Sequence, residues 1–61
     1  MMKVTRTWRV QPIKNGMKAP YFFVKTEKKR LWQAEARAMK LAEQNCRLTK
    51  LGWDIILTLI N

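Results

Sequence analysis

Lys3–Val10, with the sequence KVTRTWRV, alternates between side chains that favour a buried sheet face and side chains that favour water. The two sets are Val4, Trp8 and Val10 on one face, and Thr5, Thr7 and Arg9 on the other. This alternation predicts a half-buried strand. Arg6 breaks the pattern on the apolar face, so we expect it either at a margin of the sheet or with its stem extended along apolar neighbours.

A tight turn and a second strand follow. Asn15-Gly16 supplies the positive φ angles that tight turns require, and Pro12 and Pro20 flank it, so the chain is predicted to reverse there. Tyr21–Val24 is aromatic and β-branched, which favours a second strand antiparallel to the first.

A helix is predicted from about Glu27 to about Leu48, because apolar residues recur with a helical period from Leu31 onward. Thr26 is its predicted N-cap, and Glu27 places a carboxylate in the first turn, where the helix dipole favours it. The apolar side comprises Leu31, Ala34, Ala38, Leu41, Ala42 and Leu48, with Met39 and Cys46 at its edge. Gly52 ends the segment as a left-handed C′ residue.

Trp53–Ile60 completes the fold as a third strand whose two faces are both largely apolar. The predicted fold class is α+β, in the order β-β-α-β, with residues 1–61 forming a single domain. Its three-stranded antiparallel sheet has the order 2-1-3 and packs on one helix, which leaves the other sheet face open. The residues predicted on that open face are Lys3, Thr5, Thr7, Arg9, Tyr21, Phe23, Lys25, Ile56 and Ile60.

The charge balance is strongly basic, since 13 Lys and Arg residues oppose 4 Asp and Glu residues in a chain of 61, for a formal net charge of +9. A field of that sign attracts nucleic acid and other polyanions. With 48% hydrophobic residues, the composition is that of a folded domain rather than a disordered basic tail. A domain this small would gain stability from dimerisation.

The inventory of reactive side chains argues against an enzyme. The chain has no His, one Cys and 4 scattered carboxylates, with no Gly-rich phosphate loop. No catalytic residue, cofactor or metal site is predicted. The apolar run Ile55–Ile60 is much shorter than a membrane span, and the first residues lack the apolar core of a signal peptide, so we expect a cytoplasmic protein.

The leading functional prediction is binding of nucleic acid, DNA in preference to RNA, by cations of the sheet and the hairpin. Those cations are Lys3, Arg6, Arg9, Lys14, Lys18 and Lys25. Tyr21 or Phe23 between them would stack on bases. The alternatives are that both aromatic residues belong to the core or to a dimer seam, and that the basic turn only adds solubility.

A second cationic row lies on the predicted outer side of the helix. It comprises Lys29, Gln33, Arg37, Lys40, Gln44 and Arg47. Arg37, Lys40 and Arg47 are second-rank candidates for nucleic-acid contacts. A solvated helix face is the favoured interpretation of the row, although such a face ordinarily mixes both signs of charge. Glu43 precedes Arg47 by one helical turn and is predicted to pair with it.

The alternative function is a protein-interaction module. Trp53, Ile56 and Ile60 would then seat a second copy of the chain or a host protein, as in a homodimer or a phage-type inhibitor or adaptor. The last strand carries no charged gatekeeper, so its edge is open to pairing.

Tyr21–Thr26, followed by Gln33-Ala34-Glu35-Ala36, resembles the strand-to-helix passage of the arm-type DNA-binding domains that begin phage integrases. The resemblance implies a basic sheet that packs on one helix and enters the DNA major groove. The residues that it would place near DNA are Arg9, Lys14, Lys18 and Lys25. Those domains have three strands before the helix, whereas this sequence places its third strand after it. The resemblance suggests a small phage or prophage protein.

Overall fold

The computed structural model of the protein describes residues 4–61 and shows a helix packed on one face of an antiparallel sheet. The elements along the chain are β1 (Arg6–Lys14), β2 (Met17–Lys18), β3 (Phe22–Thr26), α1 (Leu31–Asn45), a 3₁₀ helix (Arg47–Leu51) and β4 (Asp54–Leu59). The predicted α+β class is confirmed. Lys3, a predicted phosphate contact, lies outside the described residues.

β1 is the central strand of the sheet. Val10 of β1 pairs with Phe22 of β3 on one side and with Leu57 of β4 on the other, and both pairings are antiparallel. β4 pairs with β1 from Trp8 to Ile13. Because Ile13 also pairs with Lys18 of β2, β2 must lie on the other side of β1, which is the side of β3. Together β2 and β3 correspond to the predicted second strand, and the predicted order 2-1-3 is confirmed.

β1 is displaced along the chain from its predicted range, because it begins at Arg6 without Val4 and Thr5 and runs through Pro12 to Lys14 instead of ending at Val10. Proline has no backbone N–H and is unusual inside a sheet. In a strand, the N–H and C=O of one residue point to the same side. The Pro12 carbonyl accepts the Ala19 N–H at 3.2 Å, between the end of β2 and the start of β3. The missing N–H therefore faces an interruption of the ladder, which is why the central strand tolerates this proline.

Both left-handed positions predicted from the sequence are confirmed. Asn15 and Gly16 form the hairpin turn with φ angles of 51° and 79°. Gly52 has a φ of 88° and ends the 3₁₀ helix, where its N–H donates to the carbonyl of Thr49 and the following Trp53 N–H donates to that of Leu48. Glycine adopts such angles without the steric penalty that a Cβ brings.

The predicted start of the helix is wrong. Thr26 is the last residue of β3 rather than an N-cap, and its buried hydroxyl accepts a 3.0 Å hydrogen bond from Trp8 Nε1. α1 begins at Leu31, after Arg30 in an extended conformation, so Glu27 is not in its first turn. Threonine suits both an N-cap and a strand, and the distant Trp8 decides between them.

α1 and the sheet meet in a core of small, β-branched and aromatic side chains. The buried members are Trp8, Val10, Val24, Ala34, Ala38 and Ala42. The alanines follow one another at helical spacing and are fully buried, which confirms this part of the predicted apolar side. Because alanine ends at Cβ, the helix can lie close to the sheet. Leu31 was predicted in this core, but it is 52% exposed in the first turn of α1.

The end of the helix also differs from the prediction. α1 stops at Asn45, and Cys46 is buried in an extended conformation with φ −123° and ψ 107°. Arg47 then opens the 3₁₀ helix. Glu43 and Arg47 therefore do not belong to one continuous α-helix, and the predicted i, i+4 pairing is wrong because its geometry is lost at Cys46.

Candidate nucleic-acid interface

The sheet face opposite α1 is the open face, on which no helix of residues 4–61 packs. Strand register and side-chain alternation assign its residues. They are Thr7, Arg9, Gln11 and Ile13 of β1, Lys18 of β2, Phe23 and Lys25 of β3, Tyr21 just before β3, Asp54, Ile56 and Thr58 of β4, and Ile60 just after it. The residues from Thr7 to Ile60 that were predicted for the open face therefore do lie together on it.

Arg9, Tyr21 and Phe23 form a cluster at the centre of the open face. The Arg9 guanidinium carbon lies 5.6 Å from the centroid of the Tyr21 ring, within the range of a cation–π contact. The Tyr21 and Phe23 rings are 5.7 Å apart at an interplanar angle of 76°, an edge-to-face arrangement. Tyr21 is 56% exposed and Phe23 is 55% exposed. Neither ring is in the core, which removes the core alternative for both.

Gln11 holds the backbone that carries Tyr21 in place. Its Nε2 donates to the carbonyl of Ala19 at 2.6 Å and to that of Pro12 at 3.0 Å. The bond to Ala19 ties the segment between β2 and β3 to β1, whereas the bond to Pro12 lies within β1. Sequence analysis missed this role, because a glutamine on a polar strand face gives no signal of a distant backbone partner.

Lys18 and Lys25 add cations on the β2 and β3 side of the open face. Lys18 pairs with Ile13 and Lys25 pairs with Thr7, so the two lysines lie toward opposite ends of β1. Both side chains are exposed. Asp54, opposite Ile13 on β4, is the one acidic residue among the paired positions of this face.

Two of the predicted phosphate contacts lie elsewhere. Arg6 and Lys14 have the same strand parity as the buried Trp8 and therefore point to the covered side. The Arg6 guanidinium donates to the carbonyl of Lys28 at 2.9 Å, and Lys14 Nζ donates to the carbonyl of Leu51 at 2.8 Å. The prediction that Arg6 lies at a sheet margin is confirmed. Arg6 ties the segment before α1 to one end of β1, Lys14 ties the 3₁₀ helix to the other end, and neither cation joins the open face.

The outer side of α1 carries a separate basic groove. Its lining comprises Lys28, Trp32, Gln33, Ala36, Arg37 and Lys40. Trp32 is 67% exposed there. Arg37 and Lys40 are thus brought together as predicted, whereas Arg47 lies beyond the break at Cys46. This outer helix groove and the open face are on opposite sides of a two-layer molecule.

The predicted partner-binding residues are divided by the fold. Ile56 and Ile60 are 49% and 52% exposed on the open face. Trp53 is half-buried and lines a depression with Met39 and Glu43 of α1, on the covered side. No single flat surface contains all three residues of the predicted set.

No protein-family model, curated protein or solved structure matches this chain. Across residues 4–61, α1 included, no helix has the length and apolarity needed to cross a membrane. The function is therefore inferred from the geometry of the open face.

Proposed function

We propose that this protein binds nucleic acid through the open face and catalyses no reaction. The observation that carries the proposal is the Arg9 guanidinium over the Tyr21 ring at the centre of an uncovered sheet face, with Phe23 beside it. A guanidinium that stacks on a ring can still direct N–H groups to phosphate oxygens. The proposal includes a cytoplasmic location, where nucleic acid is accessible.

The charge of the chain supports the same ligand. A net charge of +9 attracts any polyanion, so charge alone does not select a surface. The open face differs from the outer helix groove because its cations surround two mutually packed rings. Such a combination offers both phosphate neutralisation and a surface for bases.

Paired charge substitutions test which surface binds. Lys18→Gln with Lys25→Gln removes two cations from the open face, whereas Arg37→Gln with Lys40→Gln removes two exposed cations from the outer helix groove. The two variants have the same net charge. Fluorescence anisotropy of a labelled oligonucleotide across a salt series is expected to show a loss of affinity and a slope smaller by roughly 0.7–0.9 per cation for the open-face pair only.

The outcome of this comparison is decisive for the proposal. Equal losses in both variants would mean that net charge alone attracts the ligand, and a larger loss in the helix pair would move the site to the outer helix groove. Trp32 provides a second readout, since it is exposed in that groove while Trp8 is buried and Trp53 is half-buried, and the difference between the wild type and Trp32→Leu isolates its emission. Binding at the open face should leave Trp32 emission nearly unchanged.

A second candidate function is protein binding at β4, and a specific observation favours it. Among the described residues β1 is the only strand that pairs with β4, so its outer edge is available, and Ile56 and Ile60 are exposed beside it. A second copy of the chain or another protein would then bind there. Sedimentation of Ile56→Asp against Lys18→Gln tests this, because only the first should abolish association; a wild type that sediments as a monomer would remove the homodimer.

A further inference from the structure

We propose that the ligand of the open face is a single-stranded nucleic acid, whose unpaired bases stack on Tyr21 and Phe23. This inference rests on the proposed function and specifies its substrate class. Unpaired DNA and unpaired RNA share the necessary chemistry, which is a phosphodiester backbone with accessible base faces.

The exposure of the rings is the first argument. Tyr21 and Phe23 are each more than half exposed, while Trp8 on the other side of the sheet is 3% exposed. Aromatic side chains of this size are usually buried, because their area gives much of the stability of a small core. Their mutual edge-to-face contact and the Arg9 cation hold them in place before a ligand arrives. Rings held in this way lose little conformational entropy when a base stacks on them.

The side chains of the open face favour contacts with unpaired bases. In a duplex the bases stack on one another and present only their edges in the grooves, where donors and acceptors recognise them. Gln11 is the one side-chain amide on the described open face, and its Nε2 donates to two backbone carbonyls. The centre of the face thus offers ring faces and the apolar Ile56 rather than amide donors for base edges. Single strands expose the base faces that these groups can cover.

The cations of the open face have positions that suit the phosphates of one nucleic-acid strand. Lys18 and Lys25 are on the same side of β1, opposite Ile13 and Thr7. At the usual rise of a strand these positions are about 20 Å apart. Arg9 lies between them at the row of Phe23. A single strand of several nucleotides can run along this side with its phosphates near the lysines and its bases over the rings.

The test compares ligands that differ in whether bases are present, in whether those bases are paired, and in the sugar that carries them. The probes are an oligothymidylate of about eight nucleotides, the matching oligouridylate, an abasic strand of equal length, and a GC-rich blunt duplex of about eight base pairs. The proteins are the wild type, Tyr21→Leu, Phe23→Leu and Trp32→Leu. The last is a matched control, because it removes an exposed ring from α1, away from the open face.

Stacking predicts a specific pattern of affinities. Tyr21→Leu and Phe23→Leu should each weaken binding to at least one base-bearing single strand by roughly 5- to 150-fold, while Trp32→Leu leaves it unchanged. The abasic strand and the duplex should bind more weakly than the base-bearing strand and should not respond to the ring substitutions. The thymidylate and uridylate arms identify DNA or RNA as the preferred source. Circular dichroism confirms that the leucine variants remain folded.

Failure of this inference is distinguishable from failure of the proposed function. Equal affinity for the abasic strand, or a duplex that binds more tightly, would overturn single-strand stacking while nucleic-acid binding stands. Loss of affinity in Trp32→Leu instead of Phe23→Leu would also overturn it. Absence of saturable binding to every probe at near-physiological salt would overturn the proposed function itself.

Discussion

The two faces of the sheet are built from alternating residues of the same strands, and their environments differ sharply. Trp8 and Val10 face α1 and are 3% and 0% exposed, whereas Arg9 between them is exposed and contacts Tyr21. The covered face consists of interlocked, satisfied groups, as in the hydrogen bond from Trp8 to Thr26. The open face consists of groups that contact one another but keep surface for a ligand. Substitutions on the covered face should therefore lower mainly the stability of the fold, and substitutions on the open face should lower mainly the affinity for a ligand.

The largest effect is expected from Val10→Ala on the covered face. Val10 is fully buried against the alanines of α1, and loss of its methyl groups should lower the free energy of unfolding by about 2–3 kcal/mol. A domain of this size has about 3–9 kcal/mol in total. Ile56→Ala removes more atoms from the open face, but Ile56 is 49% exposed, so about 1 kcal/mol is expected. Urea denaturation measures the free energy of unfolding of both variants. An equal loss in the two would contradict the different contributions of the covered face and the open face to stability.

A smaller stability effect is expected from Thr26→Val. The substitution keeps the shape of the side chain but leaves the buried Trp8 Nε1–H without its acceptor, which should cost about 1–2 kcal/mol. Thr58→Val, opposite Arg9 on the open face, is the matched control and should stay within about 0.5 kcal/mol of the wild type. Thermal unfolding followed by circular dichroism compares the two. If Thr26→Val is as stable as the control, the bond to Trp8 contributes nothing to the covered face.

The smallest stability effect is expected from Lys14→Met, which is compared with Arg9→Met on the same strand. Lys14→Met removes the hydrogen bond to the Leu51 carbonyl and should cost about 0.5 kcal/mol, with affinity for a single-stranded oligonucleotide close to that of the wild type. Arg9→Met should leave stability within a similar margin but weaken binding roughly 5-fold at 0.1 M salt. Anisotropy titration and urea denaturation of both variants provide the measurements. If Lys14→Met lost as much affinity as Arg9→Met, a cation of the covered side would contribute to binding as much as one of the open face. That result would contradict the proposed division between the two sheet faces.

Much of the fold could be predicted from local patterns. The alternation around Trp8, the Asn15-Gly16 turn and the left-handed Gly52 all have local physical causes, and the structure confirms each. The strand order was predicted by placing the last strand beside the first, which makes every pairing antiparallel, and the structure confirms that placement. The extension of β1 through Pro12 could not be predicted, because proline is tolerated there only where the opposite ladder is interrupted.

The candidate site was predicted less completely. Parity alone placed Arg9, Phe23 and Lys25 on the open face, because side chains alternate strictly along a strand. Charge, and not parity, grouped Arg6 and Lys14 with them in the sequence analysis, although the strand parity of both residues assigns them to the other side. Charge is a property of composition, whereas the direction of a side chain depends on its strand position and its partner. The sequence contained that signal for Arg6, but not for the distant carbonyl that Lys14 contacts.

The sequence by itself determined the class of the fold, the parity of each strand and the excess of positive charge, since these depend on residue type and local spacing. Only the tertiary structure decided that Thr26 is a buried acceptor rather than a helix cap, and that Tyr21 meets both Arg9 and Phe23. The contact of Trp8 with Thr26 joins β1 to β3, and that of Arg9 with Tyr21 joins β1 to the residue just before β3. Their formation depends on strand register, which the packing of the buried face specifies for the whole sheet at once.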